Sequence, residues 1–227
     1  MQPFNEKKPS SLSLRVLKVL AKVSSERDLQ GDALAQAVVN LSRLFTTART
    51  TLSPRYLDDP AHAAAYLSYF LPVNLSKVQI LLDELPNDSC TGTPDRPMAV
   101  LDLGCGPGTG ALGLLDWLWH RSPERARSVS VLAADASPAP LRDTKKLWDA
   151  YCQEVGISST GLRSIEGNLE HPLKGDLGKQ IVRGGSYDLI ILANCLNELF
   201  PASVDPPAER ATVVAQLLPF LAPHGTI

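Results

Sequence analysis

The sequence predicts an α/β fold, a doubly wound, mostly parallel sheet preceded by an all-helical N-terminal module. Three observations carry this. Up to about residue 87 the apolar residues recur at helical spacing. From Met98 onward short apolar runs alternate with helical stretches, the pattern of βαβ units. The first of those runs, MAVLDLGCGPGTG (Met98 to Gly110), carries one acid, Asp102, and then breaks into glycines at every second position, Gly104, Gly106, Gly108 and Gly110. An apolar run closed by glycines reads as a buried parallel strand that ends in a tight turn. The ALGLLDWL that follows reads as a helix, so the turn presents free helical N–H groups to a ligand.

In chain order, Ser10 or Ser11 is positioned to cap a first helix with Leu12, Val16, Val19, Leu20 and Val23 on one face. Asp32 is positioned to cap a second, with Leu34, Val38, Leu41, Leu44 and Phe45 inward. The polar stretch Thr46 to Arg55 reads as a loop. Pro60, preceded by Asp59, opens a third helix, which Pro72 ends or restarts before a run through Val78, Leu81, Leu82 and Leu85. This gives a helical module over 1–87, a linker over 88–97 and a sheet domain over 98–227. Within the latter, Ser128 to Asp135 is the second strand and Pro138 to about Val155 a helix with Leu141, Leu147, Trp148, Tyr151 and Cys152 inward. Leu162 to Asn168 is a short third strand, Tyr187 to Asn194 an apolar fourth, and Pro206 to Leu221 a helix. A fifth strand is expected to begin only at His224, so the sheet reads as truncated at its fifth strand with the fourth at an edge. A partial chain is the preferred account of this, completion of the sheet by a second copy the less favoured one.

The chain has 227 residues, 44% hydrophobic and 20% charged, ordinary for a globular protein. No apolar run is long enough to span a membrane and no apolar signal core follows Met1. A cytoplasmic location is therefore expected, with the mitochondrial matrix open if the source is eukaryotic. Cys90, Cys105, Cys152 and Cys195 form no C-x-x-C pair, which argues against a metal site and for reduced thiols. The net charge of −2 is uneven: residues 1–57 hold nine Lys/Arg against four acids, leaving −7 for the rest. Lys18, Lys22, Arg43 and Arg49 belong to this basic head, which could meet RNA phosphates or be ordinary solvated helix charge.

Two cofactors compete for the glycine turn. Gly106-x-Gly108-x-x-Ala111 satisfies the Rossmann dinucleotide fingerprint, with Asp135 placed for a ribose hydroxyl. Asp102-x-Gly104-x-Gly106-x-Gly108 satisfies the acid-x-Gly-x-Gly-x-Gly pattern of S-adenosylmethionine-dependent methyltransferases. The second is preferred, because the turn begins at Gly104 and an acid sits within the strand end. Asp102 can organise the turn or face the methionine ammonium. Asp135 is a candidate for the ribose diol, although it could instead cap the next helix, a role Ser137 fits better. Asn168, after strand three, offers a donor and an acceptor to an adenine edge, or is a plain turn residue. Cys105, Ala136, Leu169 and Asn194 complete the candidate cofactor set with these residues and the glycines. After strand four, NCLNEL places Asn194, Asn197 and Glu198 where an acceptor would lie, Glu198 being able to take a proton. Cys195 could be a nucleophile, but no flanking proline supports it, and small buried cysteines are common.

TLSPRYLDDPAHAAAYLSYFLPVNLSKVQILLDEL, VLDLGCGPGTGALGL and YDLIILANCLNEL together resemble the methyltransferase-like small-ribosomal-subunit family. That family comprises mitochondrial ribosome assembly factors and bacterial relatives described as ribosomal RNA methyltransferases. The resemblance covers Leu52 to Gly225. It implies binding of S-adenosylmethionine or S-adenosylhomocysteine through Asp102, Gly104, Gly106, Gly108 and Asp135, and contact with small-subunit ribosomal RNA. Mitochondrial members also hold an iron–sulfur cluster through cysteines in a region this chain does not contain. Some members act in assembly without demonstrable methyl transfer. The functional expectation is a methyltransferase acting on ribosomal RNA. The alternatives are a non-catalytic RNA-binding assembly factor, a small-molecule methyltransferase that uses the N-terminal helices as a lid and, more distantly, a nicotinamide oxidoreductase.

Overall fold

The computed structural model describes residues 12–48, 51–85 and 96–227. Ser10, Ser11, Arg49, Cys90 and most of the expected linker lie outside the described residues. A five-stranded parallel sheet forms the centre: β1 (Ala99–Leu103), β2 (Ser130–Asp135), β3 (Leu162–Glu166), β4 (Tyr187–Ile191) and β5 (Leu221–Thr226), in the order β3-β2-β1-β4-β5. The doubly wound fold class is as the sequence indicated, with one correction at the edge. The fifth strand starts at Leu221, not His224, and pairs with β4 through Tyr187↔Leu221 and Leu189↔Thr226 around an irregularity. The fourth strand is thus flanked on both sides, and no copy of the chain is needed to cover it. The helix before it, α9 (Pro206–Leu217), stops four residues earlier than its apolar spacing suggests, and a 3-10 turn at Leu218–Phe220 leads into β5. The third and fourth strands also end sooner, at Glu166 and Ile191, leaving Asn168 and Asn194 in the loops beyond them.

Alternation along the strands sorts the core into two layers. Leu101, Leu103, Leu132, Ala134 and Ile190 face α8 (Gly175–Gly184) and α9, where Leu177, Ile181, Val213 and Leu217 are buried. Val100, Val131, Ala133 and Leu189 face the opposite way, toward α5 (Thr109–Arg121) and α7 (Pro138–Val155). A short helix, α6 (Pro123–Ser128), joins α5 to β2.

The N-terminal helices extend this second layer. In α1 (Leu14–Ser25) Val16, Val19, Leu20 and Val23 are buried as expected, and Ser13 caps the helix by accepting from Val16 N–H at 3.1 Å. In α2 (Gly31–Thr46) the expected cap is corrected: Gln30 holds the cap position without a side-chain bond, and Asp32 falls inside the first turn. There its charge still complements the helix dipole. Asp59 caps α3 (Pro60–Ala65), accepting from Ala61 and His62 N–H at 2.8 and 3.0 Å. Pro72 neither ends nor restarts that helix. The chain passes through a π-helical stretch, Tyr66–Phe70, directly into α4 (Leu71–Glu84). Proline lacks the N–H that would bond back one turn and its ring crowds that carbonyl, so a wider turn just ahead of it relieves the conflict. On α4, Val78 and Leu82 are buried, whereas Leu81 is 67% exposed, contrary to the inward face expected for it.

One buried carboxylate ties these helices to the sheet layer. Asp116 on α5 accepts from Ser13 Oγ at 2.5 Å, Tyr151 Oη at 2.7 Å and Gln79 Nε2 at 2.8 Å. It therefore joins the start of α1, α7 and α4 at a single point, inside a hydrophobic cluster that runs from Val16 to Leu189 without a break. Replacing it would strand the Tyr151 hydroxyl and the Gln79 amide in the core, and each lost charge-assisted bond costs on the order of 1.5–3 kcal/mol. Asp116→Ala is expected to lower unfolding stability in urea by about 3 kcal/mol or more, and Tyr151→Phe by distinctly less.

Candidate active site at the glycine turn

In a sheet ordered β3-β2-β1-β4-β5, the chain reverses its winding direction between β1 and β4, and the crevice beyond their C-terminal ends is the ligand site of such sheets. A cavity of about 1030 Å³ opens there. Its floor is built by the glycine turn. Gly104 and Cys105 N–H both donate to Ala134 O, at 2.8 and 3.1 Å, which anchors the turn to the end of β2. Gly106 N–H donates to Asp135 Oδ2 at 2.9 Å, and Thr144 Oγ1 on α7 donates to Gly106 O at 2.8 Å. Gly104, Gly106 and Gly108 all have positive φ, at +70°, +52° and +93°. The requirement is strictest at Gly104, where an added Cβ would sit 2.3 Å from Cys195 Cβ.

Asp102 lies beneath this turn. It shares the α5 face of β1 with Val100, so its carboxylate meets the N-terminus of α5 and Oδ2 accepts from Ala111 N–H at 2.7 Å. A Cβ on Gly110 would lie 2.6 Å from both carboxylate oxygens, so that glycine makes room for the acid. Oδ1 is buried without a hydrogen-bond partner. Burial pushes Asp102 up to about 7. Of its two expected roles, organising the turn is the one these contacts display.

Gly104, Gly106, Asp135, Ala136, Asn168 and Leu169 line the cavity, and so do Asn194, Cys195, Asn197 and Glu198. Asp102, Cys105 and Gly108 support the floor from behind. Asp135 accepts from Gly106 and Ser137 N–H, one on each oxygen, and burial raises it to about 6. Ser137 takes the cap position of α7 without capping it: its hydroxyl donates to Asp58 instead. Asn168 forms a turn in which Glu170 N–H donates to its Oδ1 at 2.9 Å, which leaves the amide NH₂ to donate elsewhere. The Cys195 thiol donates to Leu103 O at 3.2 Å, and burial pushes it far above its ordinary range, so it remains a protonated thiol.

The loop after β4 is bracketed by two left-handed residues, Asn194 (φ 63°) and Phe200 (φ 56°). Asparagine tolerates that conformation; for phenylalanine it is an outlier held by its surroundings. Phe200 N–H donates to Glu170 Oε1 at 2.6 Å, and the Arg210 guanidinium donates to Leu199 O at 2.9–3.0 Å and Asn197 O at 3.0 Å. These bonds hold Asn197 and Glu198 in place at the cavity wall.

The opposite wall comes from the N-terminal helices, the lid of the small-molecule alternative, although none of their residues is among the candidate site residues read from the sequence. Leu52 to Leu57 form a roof, fastened by the Ser137–Asp58 bond and by the Arg55–Asp58 ion pair at 2.7 Å. Phe45, Tyr56, Tyr66 and Phe70 stand beneath it. The clustered Tyr-x-x-Tyr-Phe in 66–70 was the available signal. Among the described residues, no group of His, Cys, Asp or Glu could hold a metal ion, and no helix is long and apolar enough to cross a membrane.

No protein-family model matches the chain, and no curated protein matches its sequence. Solved structures do. An O-methyltransferase family protein from Burkholderia thailandensis is 19% identical, covering 83% of this chain and 51% of its own, with a TM-score of 0.52. An arsenic(III) S-adenosylmethionine methyltransferase from Chlamydomonas reinhardtii is 23% identical over 65% of this chain and 46% of its own, with a TM-score of 0.40. This chain spans about half the length of each. The sheet and its flanking helices therefore have the Rossmann-like fold found in S-adenosylmethionine-dependent methyltransferases.

Both buried carboxyls have folded-state pKa values above their ordinary value, so the fold binds their protons more tightly than the unfolded chain does. Their contribution to stability is full in acid and fades as pH rises through about 6 and 7. Asp102→Asn keeps an oxygen for Ala111 N–H but cannot ionise. Between pH 5 and pH 8 the native chain is expected to lose on the order of 2 kcal/mol more stability than this variant, measured by urea unfolding at each pH.

Proposed function

We propose that the chain is an S-adenosylmethionine-dependent methyltransferase, with the donor bound along the C-terminal ends of β1, β2 and β3 and the acceptor facing the Asn194–Glu198 loop. The observation that carries it is the floor of the cavity. Gly104 and Gly106 turn backbone rather than side chain toward the cavity, and a Cβ on Gly106 would find nothing nearer than Tyr66 Oη at 3.9 Å. The residues present suit the parts of this molecule. Asp135, already fixed by two N–H donors, has lone pairs left for two ribose hydroxyls. The free NH₂ of Asn168 can donate to a ring nitrogen of adenine. The positive end of the α5 dipole favours a carboxylate, although Thr109 and Ala111 N–H are already engaged by Cys105 O and Asp102, and Asp102 stays behind the floor as the anchor of the turn.

When bound, the cofactor supplies an activated methyl group on a sulfonium. The chain's contribution is to align an acceptor on the far side of that methyl and to exclude water. The roof over Leu52 to Leu57 serves the second task. Glu198 serves as the group that takes the acceptor's proton, with Asn197 orienting the acceptor. Both tyrosines in the wall are held neutral, because burial pushes their phenols upward, so neither competes as a base.

The acceptor separates two readings. Small-subunit ribosomal RNA, or a role in assembling that subunit, is what the sequence resemblance implies, and the basic head over 1–57 suits it. The roofed cavity instead favours a small molecule, with the N-terminal helices as the lid. We take the small-molecule reading as the better supported by the geometry.

In calorimetry the chain is expected to bind S-adenosylhomocysteine and not NAD, and Asp135→Ala is expected to weaken the former at least 10-fold. Tight NAD binding would contradict the assignment. Transfer of a labelled methyl group to ribosomal RNA, lost when Lys18, Lys22 and Arg43 are neutralised, would restore the RNA acceptor.

A further inference from the structure

The part of the cavity least explained by a methyl donor is its aromatic corner. Phe45 meets Tyr56, Phe70 and Tyr66 edge-on, with ring centroids 5.4, 5.1 and 6.4 Å apart, and Tyr66 lies 6.0 Å from Phe70 at a 32° tilt. All four rings line the cavity. They come from separate places in the chain: the last turn of α2, the 3-10 turn Tyr56–Asp58 and the π-helical stretch. Local wide turns of this kind recur at functional sites. Tyr66 is held from two sides, its hydroxyl 3.4 Å from Thr109 Oγ1 at the start of α5 and 3.3 Å from Asn74 Nδ2. Thus the corner is fixed to the same helix end that closes the glycine turn.

The charges that line the cavity as a whole are unequal. Asp135, Glu166, Glu170 and Glu198 line the cavity, against Arg55 and Lys77. Arg55 is paired with Asp58, whereas Lys77 hydrogen-bonds the neutral Asn74 Oδ1 at 3.1 Å and keeps its charge, which leaves the lining with an excess of carboxylates. Glu198 lies near enough to Tyr56 and Tyr66 for its charge to oppose their ionisation. Aromatic faces beside carboxylates attract a cation and repel an anion, an effect of about 0.5–2 kcal/mol per favourable ring contact.

We propose that this corner is the acceptor subsite, and that it takes an arylalkylamine, its ring among the four aromatic side chains and its ammonium on the Glu198 side. The proposal rests on the methyltransferase reading for what happens next, but the subsite itself is a binding claim. It also separates the chain from a polyanion, because the excess of carboxylates in the cavity lining opposes a phosphate backbone.

The test uses two indoles of similar size and opposite charge, tryptamine and indole-3-acetate, titrated into the chain saturated with S-adenosylhomocysteine. Tryptamine is expected to bind at least 10-fold more tightly than indole-3-acetate, and Glu198→Gln to shrink that ratio. Phe70→Ala is expected to weaken tryptamine at least 5-fold while the affinity for S-adenosylhomocysteine moves less than 2-fold. Phe70→Leu, which keeps most of the bulk and loses the ring, should do the same in a chain whose folding is checked by its thermal unfolding. Equal binding of the two probes, or indifference to Phe70→Leu, would overturn the proposal. The titration is repeated on the unloaded chain. Failure of S-adenosylhomocysteine to bind would strike the donor assignment, and tryptamine selectivity without it would still establish the subsite.

Discussion

The turn from Gly104 to Gly108 holds its shape because two buried carboxylates sit on either side of it. Asp102 takes Ala111 N–H from below and so fixes where α5 begins. Asp135 takes Gly106 N–H from the side and so fixes where the turn crosses the end of β2. Hydrogen bonds from backbone N–H to a buried carboxylate are stronger than neutral ones, and burying an acid is costly unless such donors meet it. That cost is visible in the upward displacement of both acids, to about 7 and about 6. The strand, the turn and the helix are therefore one unit, and the cavity floor inherits its rigidity from them.

The remaining walls are attached to this unit rather than built independently. Thr144 on α7 reaches Gly106 O, Cys195 after β4 reaches Leu103 O, and Tyr66 reaches Thr109. The π-helical stretch that carries Tyr66 and Phe70 runs on into α4, which Asp116 in turn fastens to α5 and α7. An N-terminal module that looks separable in sequence thus contributes one whole wall of the cavity. Its apolar faces are buried against the sheet layer rather than in a core of their own.

Much of this was legible in the residues, for specific reasons. Val16, Val19, Leu20 and Val23 repeat at helical spacing, so α1 and its inner face were readable, as was β1 from its apolar run and glycines. The helix α8 was missed because GDLGKQIVRG carries glycines that argue against a helix, while only Leu177 and Ile181 need burial. The start of β5 was misplaced because LAPHGT contains a proline and a glycine, which read as a turn and are tolerated on an outer strand. The glycine turn and the NCLNEL loop, both local motifs, proved to line one cavity. Its aromatic wall was not legible, because Phe45, Tyr56 and Tyr66 meet only after α2 and the π-helical stretch fold onto α5, a contact between distant residues that no local pattern encodes.

The central claim is that the glycine turn and the β4 loop are two halves of a single methyl-transfer site. A crystal structure with S-adenosylhomocysteine tests it most directly. The account requires the ribose hydroxyls on Asp135 and the sulfur turned toward Asn194, Asn197 and Glu198, with the aromatic corner in front of it. A ligand whose sulfur faces away from that loop, or whose ribose lies elsewhere than on Asp135, would contradict it.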